Sequence, residues 1–169
     1  MPAGQAHTAG MFKTICLGLA MLLAGCAVQP PQPGASRDEV LRTWGAPTAR
    51  YALPDGAERL EYATGPYGRQ TWMIDTDRNA RVVQSRQVLS EAEFLRVQSI
   101  PGLRRDELLR HIGSPGERRH GGWPGGEVWS WRYPTNDCLW FVVSLADDGA
   151  VTGGGYLVDP QCDAAPDFH

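Results

Sequence analysis

The residues that could carry out acid–base or nucleophilic catalysis are few, and their spacing fits no catalytic motif. Two acidic pairs, Asp75/Asp77 and Asp147/Asp148, could act as general acid and base, but they stand at turn sequences and are interpreted as solvated turn residues. The sequence contains no Gly-x-Ser-x-Gly, no His-Glu-x-x-His and no glycine loop in a phosphate-binding context. We therefore expect no catalytic residues, no metal and no cofactor.

The N-terminal segment has the layout of a secretory signal. Lys13 precedes the apolar run 14–25, which is too short to span a bilayer as a helix. The run ends in Leu-Ala-Gly followed by Cys26, and this ending resembles the lipobox of bacterial lipoproteins. The resemblance implies a signal peptide over residues 1–25, cleavage before Cys26 and lipidation of its thiol. Because Ala27 rather than Asp follows, it also implies sorting to the outer membrane, with the folded part in the periplasm. An ordinary signal peptide with an unmodified cysteine is the alternative.

Cys138 and Cys162 are the two cysteines that remain after the signal peptide and the lipidated residue are set aside. Because an exported chain folds in an oxidising compartment, an even pair predicts a disulfide. Closing a loop of about 25 residues contributes roughly 3 kcal/mol to stability. The alternative is a reactive thiol or a metal ligand, although the spacing matches neither Cys-x-x-Cys nor a zinc site.

An internal repeat organises the rest of the chain. Residues 33–47 and 101–115 are identical at nine of fifteen positions without a gap, at an offset of 68 residues. Average composition would give about one identity in such a window. The match therefore indicates a duplication within the chain.

Each copy of the repeated motif predicts one short helix followed by four strands. Ser36 and Glu39 form a capping box at the first helix, and Gly45 and Gly113 end the two helices. A further capping box predicts a helix over 91–97. Turn sequences and alternating apolar residues predict strands at the following segments: 49–53, 58–64, 69–76, 81–89, 117–121, 127–133, 138–146 and 150–158. The predicted fold is α+β: two tandem repeats of a short helix plus a four-stranded antiparallel sheet, with the helices on one face of the sheet.

The predicted domain organisation has five parts. The signal peptide covers residues 1–25, and a Pro-rich tether covers 26–35. Because proline-rich segments are stiff and extended, at about 3.1 Å per residue, we expect the tether to hold the folded part off the lipid surface. The first repeat covers 36–90, the second repeat with the disulfide covers 91–163, and 164–169 form a C-terminal tail. Whether the sheets of the two repeats join is left open.

The lipobox, the tether and the repeated motif together resemble the BamE/SmpA/OmlA family of small outer-membrane lipoproteins. The motif stands here as Gly-x-x-Arg-Asp-Glu-Val-Leu-Arg-x-x-Gly-x-Pro over 34–47, and the following strand carries Leu60-Glu61-Tyr62. The resemblance implies an accessory role in β-barrel assembly or envelope integrity. This chain departs from the family namesake by having two units and the Cys138/Cys162 pair. Tandem units of this kind also resemble the β-lactamase inhibitor protein fold, which grips an enzyme with a concave sheet.

Three features are candidates for contact with a partner. Trp123 lies in the glycine-rich loop 121–126, and tryptophan is common at binding hot spots. Tyr67 is expected to be exposed at the tip of the hairpin 65–68. Four arginines of the second repeat could bind lipid phosphates or an acidic partner: Arg104, Arg105, Arg118 and Arg119. The alternatives stay open that Trp123 folds back on the sheet and that the arginines form a solvated face. Core positions are predicted at Trp129, Trp131, Trp140 and Phe141.

The predicted function is that of a non-enzymatic interaction module. The sequence carries 16 Lys plus Arg against 19 Asp plus Glu, a net charge of −3, which gives no electrostatic footprint for nucleic acid. The expected partners are the membrane, through the lipid, and an envelope protein; the family resemblance suggests the β-barrel assembly machine. One alternative is an inhibitor-like module that binds an envelope hydrolase. A second, from another class, is an enzyme acting on cell wall or lipid.

Overall fold

The computed structural model describes residues 29–121 and 125–163. From Pro31 onward the described residues belong to one compact unit. The first repeat contains α1 (Arg37–Trp44), β1 (Ala49–Ala52), β2 (Glu58–Ala63), β3 (Thr71–Thr76) and β4 (Val82–Gln87). The second contains α2 (Glu91–Gln98), α3 (Arg105–Ile112), β5 (Glu117–His120), β6 (Glu127–Arg132), β7 (Leu139–Leu145), β8 (Val151–Val158) and the short α4 (Pro160–Asp163). Every predicted helix and strand is therefore present, with ends shifted by only a few residues.

The two repeats build separate antiparallel sheets, in the orders β1-β2-β3-β4 and β5-β6-β7-β8. The α+β fold class with two four-stranded antiparallel sheets is confirmed. The two sheets contain equivalent cross-strand pairs: Tyr62 pairs with Trp72 in the first sheet, and Trp131 pairs with Phe141 in the second. Tyr62 donates its hydroxyl to the carbonyl of Gly45 at 3.0 Å, and Trp131 donates its indole N–H to the carbonyl of Gly113 at 3.1 Å. The duplication thus extends from sequence to side-chain hydrogen bonds.

The helix N-termini are capped in two different ways. In α1 the Ser36 hydroxyl accepts from the Glu39 backbone N–H at 3.2 Å, as the capping box predicts. In α3 the residue at the same place is Arg104, which has no oxygen to accept this bond. There the Glu107 carboxylate accepts from the Arg104 backbone N–H at 3.1 Å. The two bonds satisfy different donors, because Ser36 accepts from the N–H of the third helical residue, whereas Glu107 accepts from the N–H of the residue that precedes the helix.

Helices cover both faces of the first sheet, contrary to the prediction that helices lie on one face. Val40 of α1 packs with Leu60, Ile74 and Val82 on one face. Met73, whose side chain points to the opposite face, belongs to the larger core built around the second repeat. α3 and the turn after it contact that face: the Arg110 carbonyl accepts from Arg59, and the Ser114 backbone N–H donates to Glu61.

Polar contacts also join the two repeats at this buried face. Glu61 is fully buried, and its carboxylate accepts from the Ser114 backbone N–H at 2.8 Å. Arg59 donates to Asp75 at 2.6 and 2.7 Å and to the Arg110 carbonyl of α3 at 2.7 Å. Asp75 was interpreted as a solvated turn residue; that interpretation is wrong, because Asp75 lies within β3 and is only 4% exposed. Burial opposes ionisation of this carboxyl, but the hydrogen bonds from Arg59 and Gln84, together with the positive charges of Arg59 and Arg86, outweigh it and hold the pKa of Asp75 below its usual value.

The C-terminal half of the predicted tether is part of the fold. Gly34 donates its backbone N–H to the Val82 carbonyl at 2.8 Å, and Val82 donates to the Ala35 carbonyl at 2.9 Å. The Ser85 hydroxyl donates to the Pro31 carbonyl at 2.6 Å. These bonds cover the free edge of β4 with residues 31–35, so the spacer to Cys26 is shorter than the ten residues predicted.

A disulfide joins Cys138 and Cys162, as predicted, with their Cα atoms 6.2 Å apart. It ties α4 to the start of β7. Next to it, the Asp159 backbone N–H donates to the Cys138 carbonyl at 2.9 Å. This arrangement fixes the C-terminal end of the described chain against the second sheet.

Candidate interaction surface

Two of the four candidate arginines lie on opposite faces of the second sheet. Arg118 and Arg119 are successive residues of β5, so their side chains point to opposite faces. The Arg118 guanidinium lies 4.4 Å from the Trp129 ring, and the Arg119 guanidinium lies 5.3 Å from the Trp140 ring. Arg118 and Arg119 therefore do not share one cationic surface.

Arg104 and Arg105 lie close to acidic residues rather than in a purely basic region of the surface. Arg104 donates to the Asp148 carbonyl, and Arg105 lies 3.7 Å from the Glu127 carboxylate. The Arg105 guanidinium also lies 5.7 Å from the Trp129 ring. These contacts give both side chains partners within the second repeat.

The outward face of the second sheet brings together aromatic, cationic and apolar side chains. Arg132 pairs with Trp140, and Trp140 pairs with Leu157, so these three side chains point to the same face. Arg119 joins them over Trp140. Tyr67 reaches the same group from the first repeat, with its ring 5.5 Å from the Arg132 guanidinium. We call this group, which consists of Tyr67, Arg119, Arg132, Trp140 and Leu157, the outer surface.

Arg132 is the centre of the outer surface and is held rigidly. It is 6% exposed and donates to both carboxylate oxygens of Asp159, at 2.6 and 2.8 Å. Its remaining nitrogen donates to the Pro66 carbonyl at 2.8 Å, and its guanidinium lies 5.0 Å from the Trp140 ring. Burial opposes ionisation of Asp159, but the hydrogen bonds from Arg132 and the Gln161 backbone N–H, together with the positive charges of Arg132 and Arg69, outweigh it, so the pKa of Asp159 lies below its usual value. A planar guanidinium suits this combination of a two-point ion pair and ring stacking.

The hydrogen bond from Arg132 to the Pro66 carbonyl holds the turn in which Tyr67 is exposed to solvent. The turn that carries it rests on the second repeat through the Pro66 carbonyl, yet Tyr67 itself is 71% exposed. Leu157, at the other end of the outer surface, is 58% exposed. Tyr, Arg and Trp are the residue types enriched at binding hot spots, and all three meet in this surface. The exposure predicted for Tyr67 is present, although its turn does not project freely.

Trp140 is a buried member of the outer surface, and its indole N–H is unpaired among the described residues. It is 3% exposed, as expected for a core residue, and its indole N–H has no hydrogen-bond partner in the described part of the chain. An unpaired buried donor costs about 1–3 kcal/mol.

Sequence reasoning missed Arg132, Asp159 and Leu157. Arg132 alternates with the core positions Trp131 and Tyr133, which identifies its face but not its partner. Asp159 lies 27 residues away along the chain, and no local pattern connects the two. Leu157 could have been found, since register places it beside Trp140.

Two predicted site residues, Cys26 and Trp123, lie outside the described residues. Within residues 29–121 and 125–163, no group of three metal-ligating side chains comes together. No helix in these ranges is long and apolar enough to cross a membrane.

Comparison with known proteins gives little guidance. No family model matches the sequence, and no curated protein matches it. A cysteine-rich secretory protein from Staphylococcus aureus subsp. aureus Mu50 is similar at 12% identity and a TM-score of 0.29, over 78% of this chain and 46% of that one. An extracellular protein with an SCP domain from Bacillus anthracis str. Ames is similar at 11% identity and a TM-score of 0.30, over 95% of this chain and 51% of that one. The chain spans about half the length of these solved chains, and at such TM-scores neither informs its fold or function.

Proposed function

We propose that this protein is an outer-membrane lipoprotein that acts as a non-enzymatic interaction module in outer-membrane assembly or envelope integrity. Cys26 carries the lipid and anchors the chain, and the folded part works in the periplasm. The partner is an envelope protein, with the β-barrel assembly machine as the first candidate. The resemblance of the repeated motif to the BamE/SmpA/OmlA family supports this direction.

The outer surface is the observation that carries the proposal. Its five residues come from both repeats, so it exists only when the two repeats are packed together. Arg132 and Trp140 form a rigid centre beside the exposed Tyr67, and Arg, Trp and Tyr are the residue types enriched at binding hot spots. The buried Arg132–Asp159 ion pair fixes the orientation of this surface.

A photo-crosslinking amino acid in place of Tyr67 tests the proposal in living cells. We expect a covalent adduct with one envelope protein. The control site is Asp55, an exposed residue in the Pro54–Gly56 turn of the first repeat, where we expect no adduct. Arg119→Glu is expected to lower the adduct yield at position 67 by roughly tenfold, because it reverses charge on the outer surface.

Arg118→Glu is the matched control, since Arg118 is the neighbouring residue on the opposite face of the same strand. It should leave the yield within about twofold. Recovery of a barrel-assembly subunit supports the leading proposal. Recovery of an envelope hydrolase supports the inhibitor-like alternative, for which the tandem arrangement of two sheets is the favouring observation. No adduct, together with turnover of an envelope substrate by the purified chain, would overturn both binding proposals.

A further inference from the structure

The edge formed by β8 differs from the other three sheet edges. A strand edge presents backbone groups that can pair with another strand, and proteins guard such edges with short strands, charged residues or a covering segment. β1 and β5 are only four residues long and contain arginines. Residues 31–35 cover the edge of β4. β8 is eight residues long and contains no charged residue and no proline.

The backbone direction along β8 identifies the groups at this edge. The Asp159 backbone N–H donates to the Cys138 carbonyl at 2.9 Å, so residue 159 turns its backbone towards β7. Because this direction alternates along a strand, the backbone groups of Gly154, Tyr156 and Val158 point to the open edge. Each of these residues directs one N–H and one C=O there.

The chain itself covers only the beginning of this edge. The Leu103 carbonyl accepts from the Val151 backbone N–H at 3.0 Å. Further along, the side-chain amide of Gln98 donates to the Gly154 carbonyl at 3.0 Å, and Gln98 is exposed. The remaining edge groups of β8 have no hydrogen-bond partner in residues 29–121 and 125–163. An extended backbone is the ligand that matches this alternating row of donors and acceptors.

The side chains of β8 are complementary to a second β8 strand. Leu157 and Val158 are 58% and 56% exposed, whereas the glycines before them present no side chain. A two-fold axis at Tyr156 pairs two such strands antiparallel. It places Leu157 opposite Gly155 of the other copy, on the face of the outer surface. It places Val158 opposite Gly154 of the other copy, on the face covered by α2, so each exposed side chain covers a glycine.

A cavity lies beside Gly154 on the face covered by α2. Its volume is about 280 Å³, and its walls include Val97, Leu103 and Phe141. These three side chains are apolar and at most 3% exposed. Val158 of a second copy, opposite Gly154, lies next to this cavity and becomes buried on pairing. Burial of such a side chain favours association.

We propose that β8 pairs antiparallel with β8 of a second copy, so that two four-stranded sheets join into one sheet across a two-fold axis. The three edge residues of each copy form about six hydrogen bonds in this register. The exposed Gln98 side chain releases the Gly154 carbonyl to a backbone N–H of the other copy. The pairing depends neither on the lipid nor on the partner of the outer surface, so it can fail separately from the proposed function.

Cysteine crosslinking of the full-length protein in cells tests this register. Gly155→Cys combined with Leu157→Cys places a thiol of one copy opposite a thiol of the other, with Cα atoms about 4.5 Å apart, which a disulfide can bridge. A Cβ atom at Gly155 meets no atom within 4 Å, so the chain accommodates the new side chain. We expect a covalent dimer on a non-reducing gel that disappears on reduction.

Gly153→Cys combined with Leu157→Cys is the matched control. Gly153 is equally open and lies on the same face, but its pairing is one step out of register. Across the axis its thiols are about 7–8 Å apart, so the yield of dimer should be roughly tenfold lower. Val158→Lys, added to the first cysteine pair, puts a charge on the edge at an exposed position and should lower the yield by a similar factor.

Native mass spectrometry provides a second measurement without new cysteines. The wild-type protein should be dimeric and Val158→Lys monomeric. Equal yields of dimer from the two cysteine pairs would overturn the proposal. It is equally overturned by mixed disulfides with another protein in place of the dimer, or by a wild-type protein that is monomeric.

Discussion

Replacing Gly113 by alanine, with Gly45→Ala as its internal control, tests how the two repeats pack. The two glycines end equivalent helices in nearly the same backbone conformation, with φ of 78° at both and ψ of −172° and −159°. That region belongs almost entirely to glycine, and a side chain there costs about 1–3 kcal/mol. Both substitutions therefore carry the same backbone cost.

The surroundings of the two positions differ sharply. A Cβ atom at Gly45 would meet no atom within 4 Å. At Gly113 it would lie 2.8 Å from the Thr71 methyl carbon and 3.1 Å from the Glu61 carboxyl carbon, and both residues are buried in the first repeat. Overpacking of this kind costs about 1–3 kcal/mol more. Gly113→Ala should thus be the more damaging by about 1–3 kcal/mol.

Urea unfolding of the oxidised chain from Ala27 onward measures this difference. At a slope of about 2 kcal/mol/M, the Gly113→Ala midpoint should lie roughly 0.5–1.5 M below that of Gly45→Ala. Adding Thr71→Ser removes the nearest methyl group and should restore about 1 kcal/mol in Gly113→Ala, as a coupling between touching residues. Equal midpoints for the two glycine variants, with additive effects of Thr71→Ser, would refute the packing of the second repeat on the first sheet.

Three further predictions concern the core, the disulfide and pH. Phe94→Ala should lower the free energy of unfolding by about 3–5 kcal/mol in urea. Its neighbour Leu95 is 62% exposed, so Leu95→Ala should change stability by less than about 0.5 kcal/mol. Similar losses in the two variants would contradict the stacking of α2. Reduction of Cys138–Cys162 should lower the free energy of unfolding by about 3 kcal/mol, measured with and without reductant, and no change would contradict its role. Burial and, secondarily, the charge of Arg59 lower the pKa of His111 in the folded chain. His111 therefore takes up a proton at a higher pH in the unfolded chain than in the folded chain, and the free energy of unfolding should fall as the pH drops below about 6.5. His111→Gln should flatten the change in urea midpoint between pH 7.5 and 5.5, and an unaltered pH profile would contradict the shift.

Local patterns were sufficient for the secondary structure and the disulfide. Turn residues and helix stops lie next to the elements they bound, so Gly45 and Gly113 marked the helix ends correctly. Cys138 and Cys162 were paired by elimination, because only two thiols remained. These signals need no knowledge of how distant segments meet.

The packing between repeats was not readable in the same way. In the structure every residue of β3 except Trp72 is buried, so both faces of this strand are covered. The sequence of β3 alone does not reveal this, because it also fits a strand that is covered on one face and carries a few polar residues. Asp75 appeared to belong to a turn because its partner Arg59 lies 16 residues away. Ion pairs between distant strands depend on register, which only the folded chain defines.

The candidate surface was partly predictable for the same reason. Tyr67 was identified from its hairpin, since exposure at a turn is a local property. Arg119 was identified by charge together with Arg118, although strand alternation places them on opposite faces. Arg132 became part of the site only through Asp159, which fixes its orientation across the sheet.

The central claim is that a lipid on Cys26 tethers an oxidised, duplicated scaffold whose work is contact with a partner. The intact mass of the protein isolated from cell membranes tests it most directly, before and after alkylation of free thiols. The account predicts a chain that begins at Cys26, carries added acyl mass and takes up no alkylating reagent at Cys138 or Cys162. A soluble, unacylated chain that begins at Met1 or Met11 and is alkylated at all its cysteines would contradict it.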